Sequence, residues 1–201
     1  MRIGLDFDNT IVSYDALFRK VAREWKAVPD QVPANKVAVR NHLRECGQED
    51  LWTEMQGHVY GTRMNEASAY PGAIDFMISA SAAGHVLSIV SHKTRLPFRG
   101  PQNDLHAAAR GWIDSHLCLN GRALISSDRI FFELTKEEKI NRIRDCECDV
   151  YLDDLPEILL AEGFPAATRG ILFDPENHHN DLRVIPVIQS WGELPAHLAS
   201  R

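Results

Sequence analysis

Short apolar runs alternate with stretches of helical spacing along this 201-residue chain. The first run, Arg2-Ile-Gly-Leu-Asp-Phe-Asp8, sets Ile3, Leu5 and Phe7 on one face and is broken by Asn9-Thr10, which predicts a strand over 2–8. Leu17, Phe18, Val21 and Trp25 then share one face of a helix that Pro29 and Pro33 end. No alternation occurs between residues 35 and 69, where Gly47, Gly57 and Gly61 punctuate one or two further helices. Tyr70-Pro71-Gly72 reads as a turn before a helix reaching about residue 83, with Gly84 as its C-cap. Val86-Leu-Ser-Ile-Val90, ending at Ser91, is a continuous apolar run of the kind a parallel sheet buries on both faces. A loop over 93–102, rich in Arg, Pro and Gly, leads to a helix over 103–116. Residues 129–132 predict a strand. Thr135-Lys-Glu-Glu138 has the form of a capping box, with Ile140 and Ile143 on the buried side of the helix it opens. Strands over 149–153, 170–174 and 184–188 follow, and a last helix begins near Glu193.

Strands alternating with helices predict an α/β fold on a parallel sheet. The helical block from about 13 to 70 interrupts that alternation directly after the first strand. It reads as an inserted helical cap over 14–70, with the core formed by 1–13 and 71–201. Apolar residues at 44% and charged residues at 25% are ordinary for a globular chain. The net charge of −6, with Lys and Arg scattered rather than clustered, disfavours nucleic acid as a partner but leaves a small anionic substrate open. No run approaches the ~18 apolar residues of a membrane span, and the first apolar stretch carries Asp6 and Asp8, so no membrane partner and a cytoplasmic location are expected. Reduced cysteines then follow. Cys146 and Cys148 form C-x-C, but no second half of a metal site lies at matching spacing, since His178 and His179 are far along the chain; they read as ordinary half-buried thiols.

Ligands of open α/β sheets bind outside the carboxyl ends of the strands. Three predicted strands end in Asp6 and Asp8, in Ser91, and in Asp153 and Asp154. Carboxylates gathered at one edge repel one another, and a divalent cation compensates them. Hard oxygen donors of this kind suit Mg²⁺.

Asp-Phe-Asp-Asn-Thr at 6–10 resembles the first motif, D-x-D-x-T, of the haloacid dehalogenase superfamily. Ser91 resembles its second motif, a lysine opening the helix before the acidic strand its third, and Asp153-Asp154 its fourth. All four stand in family order and span most of the chain. The resemblance implies a Rossmann-like parallel sheet sandwiched by helices. It also implies that Asp6 is a nucleophile forming an aspartyl-phosphate, and that Asp8 is the general acid and base. Mg²⁺ would be held by Asp6, the backbone carbonyl of Asp8, and Asp153 or Asp154, the other of which could cap the helix starting near Pro156. Ser91 would bind a phosphoryl oxygen, and the lysine would offset the charge of nucleophile and phosphate.

Two lysines compete for that last role. Lys136 is at the first helical position; Lys139 is one turn on, where related sequences with E-E-K-[IL] place theirs, and is preferred, with Lys136 the alternative. His92 and Lys93, directly after Ser91, are candidate substrate contacts, and so is Thr10, whose first task is to fix its own loop. Asn9 stands where many relatives have Gly. Arg95 and Arg99 read as solvated loop residues, Trp25, Trp52 and Tyr60 as core, and His178 and His179 as surface.

Asp8 favours a phosphatase or phosphomutase within the superfamily, since dehalogenases and phosphonatases lack it, and the chain is too short for the ATPase-type members. The helical insertion resembles the small C1 cap, which closes over small substrates. Similar layouts occur in the deoxyribonucleotidases, which share the double Asp of motif four with polynucleotide 3′-phosphatases. The segments I-V-S-H-K-T and L-D-D-L-P-E-I-L resemble those of bacterial hydrolases of the superfamily. The expected function is therefore Mg²⁺-dependent hydrolysis of a small phosphorylated metabolite. The alternatives are a phosphotransferase or phosphomutase using the same nucleophile, and a non-catalytic protein that binds phosphate esters.

Overall fold

The computed structural model describes residues 1–199. It divides into two compact units, one built from Met1–Val12, Ala69–Lys93 and the chain from Leu117 onward, the other from Ser13–Ser68 and Thr94–His116. The first unit carries a six-stranded sheet of β1 (Arg2–Leu5), β2 (Val86–His92), β3 (Ile130–Glu133), β4 (Val150–Asp153), β5 (Arg169–Phe173) and β6 (Val187–Ile188). The order is β6-β5-β4-β1-β2-β3 and every pairing is parallel. Helices α4 (Ala73–Ala82), α6 (Lys136–Asp145), α7 (Pro156–Leu159) and α8 (Leu194–Ala199) complete this unit. The apolar strand runs are buried because both faces of a parallel sheet are covered: Ile3, Leu5, Ile89, Val90, Tyr151, Leu152, Ile171 and Leu172 are all inaccessible.

Register sets up the chemistry. Leu5 pairs with Ile89 on one side and Leu152 on the other, so β1 stops level with Ile89 of β2 and Leu152 of β4. One residue beyond those pairs stand Asp6 and Asp153, and two residues beyond Ile89 stands Ser91.

Several boundaries differ from the pattern-based reading. β1 stops at Leu5 rather than running to Asp8, because the chain turns at once: the amides of Ile11 and Val12 both bond to the Phe7 carbonyl, and Asn9 takes the left-handed conformation with φ of 60°. Phe7 continues the alternation only because this loop also buries its ring. The strand predicted over 184–188 shrinks to Val187–Ile188, since Pro186 has no amide to give the ladder. A small hairpin, Cys118–Leu119 with Arg122–Ala123, was not anticipated. Its turn is Asn120-Gly121 with φ of 51° and 76°, the left-handed pair a tight hairpin demands. Thr135 and Glu138 do form the reciprocal capping box of α6, and Gly84 does follow α4 with φ of 77°.

The second unit is helical: α1 (Asp15–Glu24), α2 (Lys36–Glu45), α3 (Glu49–Gly57), a π-helical turn at His58–Thr62 and α5 (Leu105–His116). Phe18, Val21, Val39, Leu43, Trp52 and Met55 form its core, with the Phe18 and Trp52 rings 4.9 Å apart. Asn35 caps α2 by accepting from the Ala38 amide at 2.7 Å. The unit is larger than the expected insertion over 14–70, because α5 belongs to it. Leu105, Ala109 and Trp112 bury one face of α5, and the Trp112 indole donates to the Ala67 carbonyl at 2.8 Å. Among the described residues, no helix is long and apolar enough to cross a membrane.

Two predictions follow from this packing. A Cβ on Gly4 would lie 2.6 Å from Cδ2 of Tyr151 and 2.7 Å from Sγ of Cys148. Gly4→Ala is expected to destabilise the sheet unit by roughly 1–3 kcal/mol, read from the shift in urea midpoint. In the helical unit Arg63 bonds to Glu24 and Glu66, and Lys20 also reaches Glu66 at 2.7 Å. Hydrogen bonds from Arg63, then Lys20, pull the Glu66 carboxyl from 4.5 down to about 2. A carboxyl lowered on folding stabilises fully above its unfolded value and loses that contribution as pH falls through the folded one. The difference in urea midpoint between wild type and Arg63→Met is therefore expected to be constant near neutrality and to shrink from about pH 4.5 towards about 2.

Candidate active site

Asp6 directly follows β1, and its amide bonds to the Leu152 carbonyl at 2.9 Å, so the sheet ladder itself holds its backbone. The side chain is buried. Ser91, on β2, donates its hydroxyl to Asp6 Oδ1 at 2.8 Å. Lys139, on α6, donates Nζ to the same oxygen at 2.7 Å and lies 2.7 Å from Oδ2 of Asp153. The lysine is only 1% exposed, on the same buried stripe as Ile140 and Ile143. Asp153 is fully buried, and its Oδ1 accepts the Leu155 amide at 2.9 Å, which ties the turn before α7. Asp153 thus caps that turn and meets the lysine as well. Asp154 accepts the Thr10 hydroxyl at 3.4 Å.

Asp8 sits a step away. Both its oxygens accept from Lys93, at 3.0 and 2.8 Å, and this lysine is buried too, with its ammonium over the Phe7 ring. Thr10 is buried, and its carbonyl accepts the Trp191 indole at 3.1 Å. The hydroxyl and carbonyl of Thr10 together anchor the 7–12 loop.

The structure therefore brings together Asp6, Asp8, Thr10, Ser91, Lys93, Lys139, Asp153 and Asp154. Two candidates are placed elsewhere. Lys136, exposed at the first position of α6, pairs with Glu157 at 2.9 Å on the surface. The ring of His92 bonds to the Leu134 carbonyl at 3.1 Å instead of joining the carboxylates. Trp191 is a supporting residue that pattern reading missed; its one signal is that a buried indole needs an acceptor.

Electrostatics make the cluster cation-seeking. Four carboxylates face two ammonium groups, Lys93 and Lys139. Burial pushes the Asp6 carboxyl up to about 7; Lys139 opposes the rise, and the neighbouring charge of Asp153 adds to it. Burial works against the Lys139 charge, but Asp6 and Asp153 outweigh it and hold the ammonium above its usual range. Oxygens of Asp6, Asp153 and Asp154 lie within 4.8 Å of one another. Three converging hard oxygen donors with uncompensated negative charge fit a divalent cation such as Mg²⁺.

No protein-family model matches the chain. Solved structures do. A haloacid dehalogenase-like hydrolase of Streptococcus pneumoniae aligns with a TM-score of 0.62 at 14% identity, covering 98% of this chain and 97% of the other. A HAD-family hydrolase of Deinococcus radiodurans, solved with bound phosphate and sodium, aligns at 0.58 and 17% identity over 98% and 94%. The chain has the haloacid dehalogenase fold. In sequence it is 19% identical over 200 residues to a protein of Oceanobacillus iheyensis named for an inferred nucleotidase activity, covering 96% of this chain and 97% of that one. Within the haloacid dehalogenase fold, the carboxylates and Ser91 stand at the carboxyl edge of the sheet, where open α/β folds bind ligands.

Lys139 pairs with both Asp6 and Asp153. Removing one partner from a buried ion pair costs roughly 3–5 kcal/mol. Lys139→Met is expected to lose about that much stability in chelator and to recover part of it with millimolar Mg²⁺. Lys136→Met should change stability by less than about 0.5 kcal/mol, since it disrupts only a surface pair. Urea denaturation of both variants, with and without Mg²⁺, reads the difference.

Proposed function

We propose that this chain is a Mg²⁺-dependent phosphohydrolase that releases phosphate from a small phosphorylated metabolite, with Asp6 as nucleophile and Asp8 as general acid and base. The observation that carries this reading is the pair of donors on one oxygen of Asp6. Ser91 and Lys139 both donate to Oδ1. That fixes the carboxylate rotamer and makes Oδ2 the oxygen to present to phosphorus.

Attack by Oδ2 would form a P–O bond to Asp6 as the ester P–O bond breaks. Asp8 would give its proton to the leaving alkoxide. In the second half, Asp8 would take a proton from the water that attacks phosphorus, and the bond to Asp6 would break to release inorganic phosphate. Ser91 and Lys93 are assigned to the phosphoryl oxygens, because both are buried donors beside the two aspartates. Lys139 favours the ionised form of Asp6 against the cost of burial and limits the repulsion between nucleophile and incoming phosphate. Mg²⁺ would be held by Asp6, Asp153 and Asp154, and would neutralise charge on the phosphoryl group. Thr10 and Trp191 position the loop that carries Asp8.

The helical unit is assigned the role of a cap that admits a small substrate and excludes water. With α5 and the 94–104 segment included, it offers more surface for recognition than an insertion over 14–70 alone. The nucleotidase-named relative supports nucleoside monophosphates as the first compounds to try.

Phosphate release from a panel of nucleotides, sugar phosphates and other phosphomonoesters tests the reading. Wild type is expected to turn over at least one of them with Mg²⁺ and to stop with chelator. Asp6→Asn is expected to lose roughly 10⁴-fold or more in rate. Equal turnover by wild type and Asp6→Asn would sink the assignment. Transfer of phosphate to an added sugar without free phosphate would make the chain a transferase with the same nucleophile.

A further inference from the structure

Away from the carboxylates, at the amino ends of the strands, the C-x-C segment lies beside a cavity of about 470 Å³. That volume falls within the ~300–1,000 Å³ typical of small-molecule sites. Three arginines, Arg2, Arg129 and Arg142, and three acids, Asp128, Asp145 and Glu147, line it together with Cys146. The chain folds back on itself at Glu147, whose φ is 48°, just after α6 ends with the Cys146 amide bonded to the Arg142 carbonyl. This turn packs Cys146 against the buried cluster that contains Cys148. Cys146 is half-buried at the cavity and Cys148 is buried behind it. The other two cysteines, Cys46 and Cys118, are exposed and take no part.

We propose that Cys146 and Cys148 are a redox-active thiol pair in which Cys146 attacks a small zwitterionic disulfide admitted to this cavity, Cys148 resolves the product, and the resulting bridge is felt at Asp6. The mixed charge of the lining suits a ligand bearing both ammonium and carboxylate groups. In the first step the Cys146 thiolate forms a bond to one sulfur of the disulfide and expels the other half as a thiolate. In the second, Cys148 gives up its proton, bonds to Sγ of Cys146 and expels the remaining half. The net change is oxidation of two protein thiols to one disulfide and reduction of the small disulfide to two thiols.

The environment fits the order of attack. The hydrogen bond from Cys148, then Arg142 and Arg129 against the cost of burial, lower the Cys146 thiol to about 7. Cys148 is raised, first by its bond to Cys146 and then by burial, so it is the reserve thiol. A disulfide across a single residue is strained and easily reduced, which suits a reversible bridge rather than a staple.

Packing links the pair to the active site. Sγ of Cys148 lies 2.7 Å from where a Gly4 Cβ would stand, and the Tyr151 ring closes the same gap. Gly4 is two residues before Asp6 on β1, and Tyr151 two before Asp153 on β4. The Tyr151 hydroxyl in turn donates to the Val90 carbonyl at 2.5 Å, next to Ser91. Drawing Cys148 toward Cys146 withdraws the atom that fills this contact between the two acidic strands.

Incubation with oxidised glutathione, followed by alkylation and peptide mass spectrometry, tests the thiol chemistry independently of any phosphatase activity. Wild type should lose two hydrogens and protect Cys146 and Cys148 together from alkylation. Cys148→Ser should trap glutathione on Cys146, and Cys146→Ser should leave Cys148 unmodified. Phosphate release by the oxidised wild type should fall several-fold and return with dithiothreitol, while Cys146→Ser should be indifferent to oxidation. Glutathione on Cys46 and Cys118 with Cys146 and Cys148 still freely alkylated would overturn the pair. A bridge that forms with hydrogen exchange at the amides of 3–6 and 150–153 unchanged would overturn its coupling to the acidic strands.

Discussion

A single buried ammonium organises the acidic edge of this sheet. Lys139 lies within 2.7 Å of both Asp6 and Asp153, the residues that end adjacent strands. Without it, two carboxylates would share a water-poor space, a cost that neither strand pairing nor the apolar core could offset cheaply. The lysine reaches them because α6 is fixed at its start by a reciprocal capping box and along its length by Ile140 and Ile143. Its charge in turn favours the ionised form of the buried Asp6. In the proposed reaction, fold stability and chemistry would rest on the same contact.

The rest of the edge follows from that arrangement. With Asp6 held on one oxygen by Ser91 and Lys139, the carboxylate has one rotamer. Asp8, two residues on, is held separately by Lys93. The two aspartates therefore sit in different environments, one deep between two donors and one partly open against an ammonium. Such separation is what allows neighbouring carboxyls to take different roles. The charge left over among Asp6, Asp8, Asp153 and Asp154 favours a divalent cation, and the geometry of three of them suits one.

Much of the edge could be read from the chain alone, because the apolar runs of β1, β2 and β4 each give way directly to a polar residue, Asp6, Ser91 and Asp153. Apolar runs fixed the strand positions to within a few residues, and parallel pairing then forces their carboxyl ends together. The choice between Lys136 and Lys139 depended on helix phase. By spacing either could share the face of Ile140 and Ile143, but Lys136, at the first helical position, is exposed, while Lys139 is buried with the two isoleucines. The pairing of Lys93 with Asp8 joins side chains 85 positions apart, and no local pattern signals it. The allegiance of α5 was hidden for a similar reason: its apolar face looks the same whether it covers a sheet or a helical unit. The hairpin at Asn120-Gly121 was legible in principle, since Asn-Gly is the strongest short turn signal, but its strands are only two residues long.

The account stands or falls on a covalent bond to Asp6. Acid quenching during turnover of a ³²P-labelled phosphomonoester, followed by peptide mapping, looks for that bond directly. The account predicts acid-stable, base-labile label on the peptide containing Asp6, absent from Asp6→Asn and chased off by unlabelled substrate. Steady release of labelled phosphate with no label on the protein at any quench time would contradict it, and would leave the carboxylates to activate water instead.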